Sequence, residues 1–241
     1  METQKGSHIG FNRMAEITEI VRELVAGIDT TIDGVYNIAT QKTEYCATKW
    51  ARVGKTVLDE ASNTYLITEF EPDESLTVTQ TNLPITPLTG TTFLPNPFFQ
   101  TGTKLAANVE WTKVLTSLID KTPLVWLLEI IREQKFGRGD VREFETSLRI
   151  FFLDETDPTQ FLTQDNRREI VEPMAELAES FLDVIKANKN FKTIENYTIV
   201  SFSRFGVETE QGVVKNILDA NLSGVELQFT LTKYKENCKS C

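Results

Sequence analysis

Two stretches of this chain alternate apolar and polar residues with a period of two, and an amphipathic helical stretch lies between them. That triplet constrains the fold more than any other feature. In "REFETSLRIFFLDE", Phe144, Thr146, Leu148, Ile150 and Phe152 alternate with Glu143, Glu145, Ser147 and Arg149, the pattern of a strand with one dry face. In "GVELQFTLTKY", Val225, Leu227, Phe229 and Leu231 alternate with Glu226, Gln228, Thr230 and Thr232. Strands that show one face to water favour antiparallel pairing, because parallel strands covered on both faces read as unbroken apolar runs. "NYTIVSFSRFG", Asn196 to Gly206, reads as a third strand, with Val200 and Phe202 facing one way and Ile199 the other.

The stretch between them, Thr163 to Lys189, places Ile170, Met174, Leu177, Phe181 and Ile185 at three- and four-residue steps, with Glu172, Glu176, Glu179 and Asp183 mostly opposite. Thr163 or Asp165 can cap its start, and Lys186 and Lys189 suit its negative end. Burying those five apolar side chains contributes on the order of 10 kcal/mol gross. Ordering the backbone costs about 1–2 kcal/mol per residue, so the helix needs a flat apolar surface to lie on. Pro173 removes one helical hydrogen bond and either bends the axis or splits a short first helix from a longer second one.

The first third carries its own signals. "AEITEIVRELVAGI" sets Ile17, Ile20, Val21, Leu24 and Ile28 on one helical face, closed by Gly27. From Tyr36 to Asn82, "TYLITEF" and "SLTVTQT" are strands around the turn "EPDE", and "TEYCATKWARVGKTVLDEA" holds two more around Gly54, which predicts a protruding hairpin or two. Four prolines in "LPITPLTGTTFLPNPFFQTG" exclude helix and central strand and mark a long loop. "AANVEWTKVLTSLI" predicts a short helix, and "TPLVWLLEII" a buried strand. The fold class is therefore α+β: a mainly antiparallel sheet packed by an N-terminal helix and a long proline-containing helix, with β-hairpin and loop insertions. At 241 residues the expectation is a single domain, 1–241, carrying its insertion over about 36–121.

Chemistry is sparse. The single histidine, His8, disfavours histidine-based nucleophile schemes and histidine metal sites. "VGKT", Val53 to Thr56, lacks the upstream glycine of a phosphate loop, since Lys49 stands there. Arg138-Gly-Asp140 reads as a turn. Asp154, Glu155 and Asp157 in "LDETDPT" are the one acidic group that could hold a hard cation, although a strand-to-helix connection explains them as well. Cys46, Cys238 and Cys241 are odd in number, and a tail Cys-x-x-Cys with no second pair predicts free thiols rather than zinc. No catalytic, metal or cofactor site is expected. A net charge of −10 argues against gripping nucleic acid, no apolar run reaches membrane-spanning length, and "METQKGSHIGF" lacks the blocks of a signal peptide. The expectation is synthesis in the cytosol. What stands out is the segment holding Phe93, Leu94, Phe98 and Phe99, whose apolar side chains mark either a protein contact or a cap over the chain's own core.

The blocks "LPNPFFQTGT", "KTPLVWLLEI", "LRIFFLDE" and "NLSGVELQFTL", in that order over roughly Pro95 to Tyr234, resemble the tail-terminator and tail-completion proteins of tailed bacteriophages. They are most similar to structural proteins of crAss-like phages. Thr101 stands where related sequences have histidine before the Gly-Thr pair, which leaves that position a conformational role. The resemblance implies a tail-completion-like domain that forms a homo-oligomeric ring of six or twelve copies in the phage neck. Such a ring joins portal to tail, touches neighbouring neck or tail proteins, and lets DNA pass without sequence-specific binding. The implied location is the virion, with no membrane association. The candidate subunit interface is Phe93, Leu94, Phe98, Phe99, Gly102 and Thr103, with no catalytic residue. The alternatives are a cytosolic enzyme acting through Asp154, Glu155 and Asp157, or a phage adaptor that binds a host protein through Phe93 to Phe99.

Overall fold

The computed structural model describes residues 9–40, 42–45, 47–80, 88, 90–113, 121–129, 132–136, 143–159, 162–209 and 212–233. His8, Cys46, the Arg138 to Asp140 tripeptide, Cys238 and Cys241 lie outside the described residues. Its centre is the pair of long strands expected from the period-two patterns: β10 (Glu143–Glu155) and β14 (Leu222–Lys233). They run antiparallel in unbroken register from Phe144 opposite Lys233 to Glu155 opposite Leu222. The sheet order is β11 (Tyr197–Phe202), β14, β10, β8 (Leu124–Leu128), β7 (Phe98–Gly102). A further strand, β9 (Arg132–Phe136), pairs with the early part of β10. All pairings in this sheet are antiparallel except β7 with β8.

One face of the sheet carries the helices. Thr163 caps the first turn, α3 (Gln164–Asn166), through a bond from the Asn166 amide to its Oγ1 at 3.1 Å. A π turn follows over Arg167–Val171, in which the Glu172 amide donates to the Arg167 carbonyl. Then comes α4 (Glu172–Ala187). Pro173 sits at the start of α4, where it has no earlier helical turn of that segment to disrupt. The widened turn ahead of it is where the ladder shifts to accommodate the missing donor. The inner face of α4 buries Met174, Leu177, Ala178, Phe181, Leu182 and Ile185. Phe181 meets Phe152 of β10 at 5.8 Å and Phe229 of β14 at 6.2 Å between ring centres. The N-terminal helix α1 (Ile9–Ala26) packs beside α4, with Val21, Leu24 and Val25 in the same core and Gly27 against Val184.

The opposite face corrects a simple reading of one dry and one wet side. Phe151 and Leu153, which point away from α4, are buried together with Trp126, Leu124 and Leu128 of β8. Trp111 of α2 (Lys104–Lys113), Phe205 and Leu218 cover them. Trp126 stacks on Phe151 at 5.1 Å, and Phe205 meets Phe151 at the same separation. Only the early part of β10 shows its second face to water, at Ser147 and Arg149.

The largest departure from expectation lies between Thr31 and Phe93. In place of protruding hairpins the chain closes a six-stranded barrel in the order β1 (Thr31–Asn37), β2 (Lys42–Tyr45), β5 (Ser75–Gln80), β4 (Thr64–Glu71), β3 (Thr56–Asp59), β6 (Gly90–Phe93). Strand β6 closes it by pairing with both β1 and β3. A closed barrel leaves no sheet edge, and a small one fills with side chains: Ile32, Thr43, Tyr45, Val57, Ile67, Leu76, Val78 and Thr92 are all buried. Gly34 stands where a Cβ would lie 2.5 Å from the Tyr45 ring, so the missing side chain makes room for the tyrosine. The barrel core is continuous with the core beneath α4.

The proline-rich span is also corrected. It is not one long loop: β6 completes the barrel, and β7 forms the far edge of the sheet, where Phe98 to Gly102 run alongside Leu124 to Leu128. Pro95 and Pro97 lie in the link between these strands, while Pro84 and Pro87 fall outside the described residues.

Candidate functional site

The residues expected to form a contact surface are placed as follows. Phe93, at the end of β6, is half-buried, and Leu94 is buried in the main core. Phe98 and Phe99 face opposite ways along β7. Phe98 meets Trp111 edge-on at 6.5 Å, whereas Phe99 packs on the main core with the Arg22 guanidinium 5.7 Å above its ring. Gly102 adopts φ +137°, and its carbonyl accepts from the Glu129 amide at 3.1 Å and from Trp126 Nε1 at 3.2 Å. Thr103 starts α2, accepting from the Ala107 amide through its carbonyl and from the Ala106 amide through its hydroxyl. Phe98 and Phe99 pack against the chain's own core.

Of the three carboxylates of "LDETDPT", Asp154 and Glu155 both face Arg52, with Asp154 Oδ1 2.8 Å and Glu155 Oε2 3.9 Å from its Nη2, and Asp157 turns to Thr159. Asp157 is exposed and holds the Thr159 amide and hydroxyl, each at 2.8 Å. Asp154 is buried, and it gathers two cations delivered by the segment between β2 and β3. Arg52 Nη2 lies 2.8 Å and Lys55 Nζ 3.3 Å from Asp154 Oδ1, which also accepts from the Glu155 amide at 2.8 Å. Arg52 further donates to the Glu155 carbonyl, and Lys55 to the Thr122 carbonyl at 2.6 Å and hydroxyl at 3.1 Å. Burial alone would raise the Asp154 pKa, but the charges of Lys55 and Arg52 outweigh it and hold the carboxyl below its usual range. Burial also pulls the Lys55 amine down to about 8, against the attraction of Asp154. Chemically this is an ionic pin between barrel and sheet. Both carboxylate charge and amine protons are spent on protein partners. Among the described residues, no group of three histidine, cysteine, aspartate or glutamate side chains is placed to hold a metal.

The other edge of the sheet has no further strand beside it among the described residues. Strand β11 pairs with β14 on one side, with Thr198 opposite Gln228 and Val200 opposite Glu226. It is the terminal strand in the sheet order. An antiparallel strand sends alternate peptide groups to either side, so half of the backbone donors and acceptors of β11 point outward. Natural edge strands are commonly blunted by charge, proline, a bulge or a covering loop. Tyr197-Thr-Ile-Val-Ser-Phe202 contains neither charge nor proline, and its register is unbroken. Tyr197 is 45% and Val200 37% exposed.

Beside this edge the uncovered part of the sheet forms a shallow groove of about 760 Å³, lined by Ser147, Arg149, Thr198, Gln228 and Thr230. Its one cation, Arg149, donates through Nε to Glu226, a carboxylate buried in the sheet. The groove is thus polar and close to neutral.

Sequence reasoning identified β11 as a strand but not as an edge. Its signal was the unguarded composition of "YTIVSF" between two strands that each carry charges. No protein-family model matches this chain, and no curated protein matches it.

Proposed function

We propose that this protein is a structural subunit that assembles with copies of itself into a ring in the neck of a tailed bacteriophage virion, joining portal to tail around the DNA passage. The observation that carries the reading is the β11 edge: six uncharged residues that pair on one side only among the described residues, with no charge, proline or bulge in the strand. Such an edge binds an added strand through main-chain hydrogen bonds. Head-to-tail use of one edge by the next subunit closes a ring when the rotation per subunit divides the circle.

Two further observations support it. The ionic pin fixes barrel to sheet, which suits a part that must keep its shape under load. The acidic balance of the chain, at −10, suits a channel through which DNA slides without being held.

The test is labelled electron microscopy of purified virions, combined with light scattering of the isolated protein. Density or label at the head-to-tail junction, and assemblies of six or twelve times the 27.3 kDa subunit, are the expected results. A chain absent from the purified particle overturns the proposal.

A further inference from the structure

The hairpin that follows β11 stands outside the two larger sheets among the described residues. Strands β12 (Gly206–Thr209) and β13 (Gly212–Asn216) form a separate two-stranded sheet. Among the described residues they pair only with each other. A lone two-stranded hairpin is marginal in water, so an element of this kind needs a surface to lie on.

Its base, by contrast, is firmly held. The Phe205 amide donates to the Leu222 carbonyl at 2.7 Å, and the Phe205 ring is buried against Trp126 and Phe151. Arg204 Nη2 donates to Asn216 Oδ1 at 3.1 Å, and Asn216 donates to Asn221 Oδ1 at 2.9 Å. The direction in which the hairpin leaves the sheet is therefore fixed, while the outer edges of its strands pair with nothing among the described residues. A register shift between Val207 and Glu208 adds local twist. At about 3.3 Å per residue, the five residues of β13 give an arm of about 16 Å.

One chain thus carries an unpaired strand edge that can accept a strand and an anchored hairpin that can supply one, separated only by Ser203 to Phe205. We infer that the β12–β13 hairpin of one copy docks on the β11 edge of the next, extending its sheet, and that this head-to-tail exchange is the ring contact. The inference rests on the ring reading and deepens it by naming donor and acceptor. The occupant fits the edge: "GVVKN" brings two adjacent valines with strong strand preference, and an uncharged edge imposes no charge requirement on what it pairs with. Because donor and acceptor are different surfaces, the contact can run head-to-tail and propagate around a ring; the same exchange made reciprocally across a two-fold axis would stop at a dimer, and a wild type that stops there overturns the ring contact.

Two variants separate the possibilities. Val200→Lys places a charge on the acceptor edge at a side chain already in contact with solvent. In the second, residues 207–215 are replaced by a four-residue Gly-Ser link. Gly206 and Asn216 are direct partners at the hairpin base, so the link spans a short gap and leaves the Arg204 and Asn221 bonds in place. Circular dichroism melts first check that both fold. Light scattering is then expected to find each variant monomeric alone, and their equimolar mixture a one-to-one dimer, because only one productive donor–acceptor pair survives. A hairpin-less variant that assembles like wild type overturns the inference in favour of edge-to-edge pairing. Both variants retaining full-size rings overturns it while the ring reading stands. A wild type that stays monomeric at high concentration overturns it too, and virion microscopy then decides the ring reading separately.

Discussion

The ionic pin offers a direct test of how barrel and sheet are held together. Asp154 is 2% exposed, and Lys55, at 4%, lies 3.3 Å from it, with Arg52 closing the other side at 2.8 Å. Asp154→Asn keeps the shape and removes the charge, so two cations then face a neutral amide in a buried site. Removing one partner of a buried ion pair costs about 3–5 kcal/mol, because the remaining charge loses its compensation. The lower end is expected here: Lys55, already held near 8, can shed its proton once the carboxylate is gone. For a chain of this size each kcal/mol moves the melting temperature by about 2–4 °C, so the fall is roughly 6–12 °C. Urea denaturation followed by far-ultraviolet circular dichroism gives the free energy directly. The double variant Lys55→Met with Asp154→Leu removes the fully buried pair but leaves Arg52 with only the Glu155 carbonyl and the Glu155 carboxylate 3.9 Å away, so it should recover part of the loss. An Asp154→Asn protein within about 1 kcal/mol of wild type would refute the reasoning.

Lys55 also sets a pH dependence whose sign is unusual for lysine. Its folded pKa of about 8 lies below the ordinary 10.5, so between those values the unfolded chain holds the extra proton and this group's contribution to stability rises with pH. Urea melts of wild type and Lys55→Met from pH 7.5 to 10 should show the difference moving in favour of wild type, and a flat difference rejects the assignment. Gly224→Ala should cost about 3 kcal/mol or more, or leave the protein insoluble. Gly224 holds φ +151°, and a Cβ there would lie 2.0 Å from the Phe152 carbonyl oxygen in the centre of the sheet; an alanine variant with wild-type melting is the contrary result. Gly34→Ala presses a methyl group into the Tyr45 ring inside the barrel and should cost about 1–3 kcal/mol by overpacking. The combined Gly34→Ala, Tyr45→Phe protein tests whether ring position or the hydroxyl matters, and an unchanged cost points to the ring.

Local pattern was enough for most elements. The alternation through Phe144 to Phe152 and Val225 to Leu231 specified two strands and the face that meets α4, because a strand's side chains alternate whatever its partner. The spacing of Met174, Leu177, Phe181 and Ile185 specified the helix, and Pro173 announced an irregularity ahead of it, found as the π turn. The turn at Gly54 and the strands on either side of "EPDE" were equally local.

Closure of the barrel was not legible, because it depends on Thr31 to Gly34 meeting Gly90 to Phe93 across some sixty residues of chain, and no short-range period records which strand ends a hairpin series. The same holds for β7: its parallel partner β8 comes from beyond α2, and proline density argued for a loop without showing that Pro95 and Pro97 lie in a short link between two strands. Phe151 and Leu153 looked no different from their neighbours until Trp126, Phe205 and Leu218 arrived from three other segments to cover them. Asp154 read as one carboxylate in an acidic run; only the tertiary fold brings Arg52 and Lys55 across about a hundred positions to bury it. An open edge is likewise a property of the whole sheet. The sequence by itself determined that the period-two stretches would be strands and the Met174 to Ile185 stretch a helix, and one face of each that would be dry, since those follow from local geometry. Tertiary structure alone decided which strands close on themselves and which is left unpaired, since that follows from the order in which distant segments take up the available hydrogen bonds.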